Sequence, residues 1–156
     1  MRTDIEHELE ILGLETSEDS LTRSMELLRL VLNLYEKNKA PLSFAEIFET
    51  VNEYEKDSEF TRAWVHRLLK DLVDKGLIQV DGEGSSRRHY ICDINSLIYG
   101  LRIIKSKQID ELNLSIREST EKIENLQIIN TNLVAQKLYE KLTGRPDIPG
   151  SRYLQG

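Results

Sequence analysis

Cysteine occurs once in this chain, as Cys92, so no internal disulfide is available and a reducing cytosol is the expected setting. Aromatic residues make up only 6% of the sequence, while charged residues make up 31%, a balance typical of long-helix proteins. No apolar run approaches the ~20 residues that would cross a bilayer, which argues against a membrane partner. The start, MRTDIEHELE, is acidic and has no apolar signal region. His7, His66 and His89 are far apart, and no Cys or His spacing suggests zinc. Gly-rich phosphate loops, Gly-x-Ser-x-Gly and His-Glu-x-x-His are all missing, so the expectation is a protein that is not an enzyme and needs no cofactor. There is no internal repeat. The 156 residues suffice for one domain plus an appendage, or for two small units.

The charge that is present is unevenly spread. Net charge is -6, and residues 1–20 alone carry seven acids against Arg2. The remaining residues are balanced, with 20 acids and 20 bases. Arg62 to Ile91 is locally positive, with six Lys or Arg against four acids. Residues 42–61 hold six acids and only Lys56. For nucleic-acid binding the local patch counts for more than the total.

Apolar spacing lays out the elements. Ile5, Leu9 and Leu12 predict a short helix ending at Gly13, followed by a polar linker, so 1–20 reads as an acidic N-terminal helix and linker. Leu21 to Asn38 is apolar around much of its circumference and predicts a core helix with Ser20 as N-cap. Ser43-x-x-Glu46 is a capping box opening a helix whose buried face is Phe44, Ile47, Phe48 and Val51. Ser58 is the expected cap of a fourth helix running to about Lys75, with Val65, Leu68, Leu69, Leu72 and Val73 inward and Gly76 in the left-handed position after it. Leu77 to Val80 and Tyr90 to Cys92 are short strand candidates around a polar tip, Asp81 to Ser86, that leads into Arg87, Arg88 and His89. A long last helix is expected from Asp93 or Asn95 to near Thr143, with a loose tail over 144–156.

Helix, glycine stop, strand, basic tip and strand is the order of a winged helix-turn-helix, in which the helix enters the DNA major groove and the hairpin lies along the backbone. On the helix, Arg62, His66 and Lys70 form one i, i+4 stripe with Arg67 alongside. Arginine can read guanine bidentately, and Lys70 suits a phosphate. The plainer alternative is a solvated face with Arg67 and Lys70 paired to Asp71 or Asp74. Thr61 suits either a phosphate hydrogen bond or helix capping. Ser86, Arg87, Arg88 and His89 complete the candidate DNA set at the hairpin, where small residues allow close approach and cations meet phosphate or the minor groove. The acids of the preceding helix, Glu49, Glu53 and Glu55, weigh the other way by repelling a phosphate backbone.

From Ile109 the last helix acquires a heptad. Ile109, Ile116, Ile123 and Asn130 fall at a, and Leu112, Ser119, Leu126 and Leu133 at d. Ile at a with Leu at d favours a two-stranded coiled coil, and a lone Asn at a sets register. Residues 109, 112, 116, 123, 126, 130 and 133 are therefore the expected dimerisation seam, and the alternatives are a helix that packs back on its own domain or one that pairs antiparallel.

Leu69-x-x-Leu72-x-x-x-Gly76-Leu77-Ile78, with a hairpin closing on Arg87-Arg88-His89-Tyr90-Ile91, resembles winged-helix transcription regulators of the PadR and MarR groups. The resemblance extends over roughly Leu21 to Leu142. It implies a mainly α fold with a small β-hairpin, with a DNA-binding domain over 21–94 and a dimerising coiled-coil segment over 95–143. It also implies a cytoplasmic homodimeric regulator bound to double-stranded DNA. The competing expectation is a winged-helix module that binds another protein and assembles a larger complex through its coiled coil.

Overall fold

The computed structural model describes residues 4–14, 23–54, 61–82, 88–114 and 120–144. Within them the order is α1 (Asp4–Ile11), α2 (Arg23–Asn38), α3 (Phe44–Tyr54), α4 (Arg62–Asp74), β1 (Gln79–Asp81), β2 (His89–Ile91), α5 (Ile94–Leu114), α6 (Thr120–Gln127) and α7 (Thr131–Thr143). The fold is mainly helical, with one small antiparallel sheet. Residues 83–87 of the hairpin and the tail beyond Gly144 lie outside the described residues.

α2 is the central helix. Met25, Leu27, Leu28, Val31 and Leu32 are buried, and the helix packs against α3, α4 and α7. The capping box forms as the spacing requires: the Ser43 amide donates to Glu46 Oε1, and the Glu46 amide donates to Ser43 Oγ, both at 3.2 Å. In the sheet Val80 faces Tyr90 and Asp81 faces His89. Tyr90 is also bridged on its other side by Leu42, in the connection between α2 and α3. The Leu42 amide donates to the Tyr90 carbonyl at 2.9 Å, and the Tyr90 amide returns the bond at 2.8 Å. The hairpin is thereby fastened to the α2–α3 connection by backbone bonds, which of all substitutions at Leu42 or Tyr90 only proline removes directly, by taking away the donor N–H.

α4 ends as expected. Gly76 has φ +79°, and Leu77 then turns back so that its amide donates to the Leu72 carbonyl at 3.1 Å. This turn lies directly on α5 at Gly100. A Cβ placed on Gly100 would come within 2.7 Å of the Leu77 nitrogen and 2.8 Å of the Gly76 carbonyl carbon. α5 begins at Asp93 through a reciprocal cap, the Ser96 amide donating to Asp93 Oδ1 at 2.9 Å and the Asp93 amide to Ser96 Oγ at 3.3 Å.

Two expectations are corrected. The segment after Asp93 is not one continuous helix: it is divided into α5, α6 and α7, and α7 packs along α5. Asn130, assigned to the seam, instead caps α7, its Oδ1 accepting from the Asn132 and Leu133 amides at 3.1 and 3.2 Å. Asparagine is among the best N-caps, and here that local preference decides against a continuous heptad. Lys105 holds the fold-back by donating to the carbonyls of Gln127 and Ile129 at 3.2 and 2.9 Å. Leu126 is buried in the chain's own core, and Ile109 and Leu112 are packed against that core. Ile123 is half-buried, Leu133 is exposed, and Ile116 lies outside the described residues. The alternative of a helix packed back on its own domain is the arrangement observed. The N-terminal helix is likewise no separate appendage. Leu9, Leu12 and Leu14 join the same core as Leu138 and Leu142, α1 lies against α7, and Gln108 Nε2 donates to the Leu12 carbonyl at 2.8 Å. Each fully buried leucine contributes about 1.5–3 kcal/mol.

Two outcomes test this packing. Gly100→Ala should lower unfolding stability by about 2–3 kcal/mol in urea, because backbone atoms leave the methyl no room; an unchanged midpoint contradicts the close contact. Cys92 is fully buried, and burial pushes its thiol well above the ordinary range, with the Asp93 and Glu36 carboxylates acting in the same direction. The unfolded thiol ionises near pH ~8.5, so this group's contribution is fully present below that pH and is lost as pH rises toward the folded value. Urea midpoints should fall more steeply above pH ~8.5 for the native chain than for Cys92→Ala, and parallel profiles contradict the assignment.

Candidate nucleic-acid interface

α4 starts later than its first candidate cap, Ser58. Thr61 is the N-cap, in extended conformation (φ -78°, ψ 159°), and its hydroxyl oxygen accepts from the Trp64 amide at 3.1 Å. Of the two roles open to Thr61, capping is the one observed. Val65, Leu69 and Leu72 point inward. The side directly opposite carries Ala63, Arg67, Lys70 and Asp74, all exposed and spaced by helical turns.

This outward stripe differs from the expected 62, 66, 70 set. Arg62 and His66 sit at its edge and turn toward α3. The His66 ring stacks on Phe44 with centroids 3.7 Å apart and planes 3° from parallel. The Arg62 guanidinium lies 5.2 Å from the centroids of both Phe44 and Phe48. Those two rings are themselves stacked at 5.9 Å. Such cation–π contacts are each worth about 0.5–1 kcal/mol at exposed sites. The two phenylalanines are thus more than a buried face: they form a ring platform for α4. Their i, i+4 spacing signals mutual contact, but only the fold supplies the residues placed above them.

Arg67 and Lys70 stand at the centre of the outward stripe. Among the described residues neither makes an ion pair, so the alternative of pairing to Asp71 or Asp74 is not what occurs. Asp71 is taken by Lys75 at 2.7 Å. Arg88 and His89 are exposed where the hairpin re-enters the sheet at β2. Ser86 and Arg87, the other hairpin candidates, lie outside the described residues. On α3, Glu46, Glu49 and Glu53 are exposed and recur at helical spacing on the side away from Ile47 and Val51. Glu55 lies outside the described residues. Trp64 is half-buried, with the Arg23 guanidinium 5.9 Å from its ring centroid.

Other chemistry is not assembled here. Among the described residues no group of three or more His, Cys, Asp or Glu side chains is placed to hold a metal. An open cleft of about 640 Å³ lies on other elements, between α1, α5 and α6, lined by Ile11, Gln108, Leu112, Lys122 and Leu126 among others. No helix among the described residues is long and apolar enough to cross a membrane. Comparison with protein-family models, curated proteins and solved structures finds no match to this chain.

Thr61→Ala should cost about 1 kcal/mol of stability by removing the α4 cap, while Thr61→Ser should keep most of it. Thermal unfolding followed by circular dichroism measures both, and an Ala variant as stable as the parent would contradict the capping role.

Proposed function

We propose that this chain is a winged-helix DNA-binding protein acting in transcription regulation, with α4 as the recognition helix and the β1–β2 hairpin as the wing. The observation that carries the reading is the outward stripe of α4: Arg67 and Lys70 project side by side with no intramolecular ion pair among the described residues. The helix presenting them is rigidly seated on its apolar face. Arg67 suits the O6 and N7 acceptors of guanine, and Lys70 suits a phosphate. Ala63, one turn earlier, is small enough to permit close approach and to contact a thymine methyl. The Leu42–Tyr90 bridge supports the reading by holding the hairpin, with Arg88 and His89, to the scaffold that presents α4.

A regulator of this type reads two half-sites about one DNA turn apart, so homodimerisation belongs to the proposal. The folded-back α5–α7 unit changes how a second copy would meet the first. Of the expected seam residues Leu126 is buried within the chain, Ile109 and Leu112 are packed against its core, and Leu133 is 48% exposed.

A second reading has its own observation. The exposed Glu46, Glu49 and Glu53 row would repel a phosphate backbone and suits a basic protein partner instead. The two readings separate in one experiment, fluorescence anisotropy of the chain with random-sequence duplex DNA across salt concentrations. The DNA reading predicts binding at low salt that falls steeply as salt rises. It also predicts on the order of tenfold weaker binding for Arg67→Ala/Lys70→Ala. Absence of binding even at low salt would sink direct DNA recognition by this chain and favour the protein-partner reading.

A further inference from the structure

We infer that Arg62 is a pre-set clamp for a DNA backbone phosphate, built on the Phe44–Phe48 ring pair, and that it leaves base reading to Arg67. This rests on the DNA-binding reading and assigns to Arg62 a role distinct from the base contact that its sequence position suggests.

The geometry separates the two arginines. Arg67 lies in the middle of the outward stripe, where a groove floor would be met. Arg62 lies at the stripe's edge over the α3–α4 junction, its guanidinium carbon 5.2 Å from each of two ring centroids. A guanidinium resting on aromatic faces keeps its hydrogen-bonding edge in its own plane, where it does not compete with the stacking. Among the described residues no carboxylate or carbonyl takes that edge, and the residue as a whole is exposed. His66, stacked on the same Phe44 ring at 3.7 Å, is the neighbour one turn along.

Two consequences follow. Holding the side chain before binding removes part of the ordering cost that a long surface arginine would meet on contact. The planar fork offers two parallel N–H donors to two phosphate oxygens, a geometry that lysine lacks. Arg62 is also the first residue of α4, where the helix dipole favours an anion. A base edge deep in the groove is the wrong target for a group docked back onto α3, whereas a phosphate on the groove rim is the right one.

The test uses the full chain, a panel of duplexes of unrelated sequence, and anisotropy across a salt series. Arg62→Ala should weaken binding to every duplex by a similar factor, on the order of tenfold, and should reduce the slope of log K against log salt by about 0.9, the value of one phosphate. Arg62→Lys should retain the slope and lose a few-fold in affinity, because charge remains but stacking and fork do not. Circular dichroism melts of each variant identify any loss of fold. A loss confined to some duplexes would make Arg62 a base reader and overturn the clamp. Unchanged affinity and slope in Arg62→Ala, with the parent chain binding, would also overturn it and leave the DNA reading standing. A parent chain that binds no duplex would overturn the DNA reading and this inference together.

Discussion

The contact on which the rest of the structure depends is the seating of the Gly76–Leu77 turn on Gly100. Four elements meet there. α4 has just ended, β1 is about to begin, Cys92 just after β2 directs its thiol to the Leu77 carbonyl at 3.7 Å, and α5 passes underneath. Gly76 is required because the turn needs a left-handed φ, and Gly100 because α5 must approach the backbone of the turn. Leu77 is itself fully buried, so the turn is anchored by an apolar side chain as well as by close approach. Hairpin direction, α4 tilt and α5 position are therefore a single geometric solution. The Leu42–Tyr90 bridge then ties that solution back to the α2–α3 connection.

This rigid seat gives meaning to the charges on α4. A flexible Arg or Lys on a mobile helix is a solvated surface and little else. Here the inward face of α4 is closed, and Arg62 and His66 are folded onto α3. What remains outward is a narrow stripe in which Arg67 and Lys70 are the cations. Most of the chain's acid lies outside that stripe: residues 1–20 carry seven acids, and Glu46, Glu49 and Glu53 line the outer row of α3, where they weigh against a polyanion. The proposed function depends on this segregation, since electrostatic attraction to a polyanion is governed by the local potential within about a Debye length.

Local chemistry was the legible part of the chain. The Ser43–Glu46 box, Gly76 and the Asp93 start are signals that act within a few residues, and the fold uses them as read; the strands form around the polar tip but as Gln79–Asp81 and His89–Ile91, shifted toward the tip from the runs Leu77 to Val80 and Tyr90 to Cys92. The partners of exposed or amphipathic faces were not legible. The pattern Ile109, Leu112, Leu126 marks an apolar stripe, but a stripe is satisfied equally by a second chain or by the same chain folded back. Asn130 fits an a position and an N-cap equally well, and only the reversal into α7 decides which. The 62, 66, 70 stripe is a correct helical row, but its orientation depends on where Phe44 and Phe48 sit, and those residues lie on another helix. For α4 itself both Ser58 and Thr61 satisfy cap chemistry, so residue type alone leaves the start open by three positions.

The central claim is that the outward face of α4 and the returning edge of the hairpin form one DNA-binding surface. Backbone amide chemical-shift mapping of labelled protein, titrated with a short duplex at low salt, tests it most directly. The account predicts that the largest shifts cluster around Ala63, Arg67 and Lys70 and at Arg88 and His89, with α1 and α7 little affected. Shifts concentrated on the Glu46–Glu49–Glu53 row or on α6 and α7, or no shifts at saturating duplex, would contradict it.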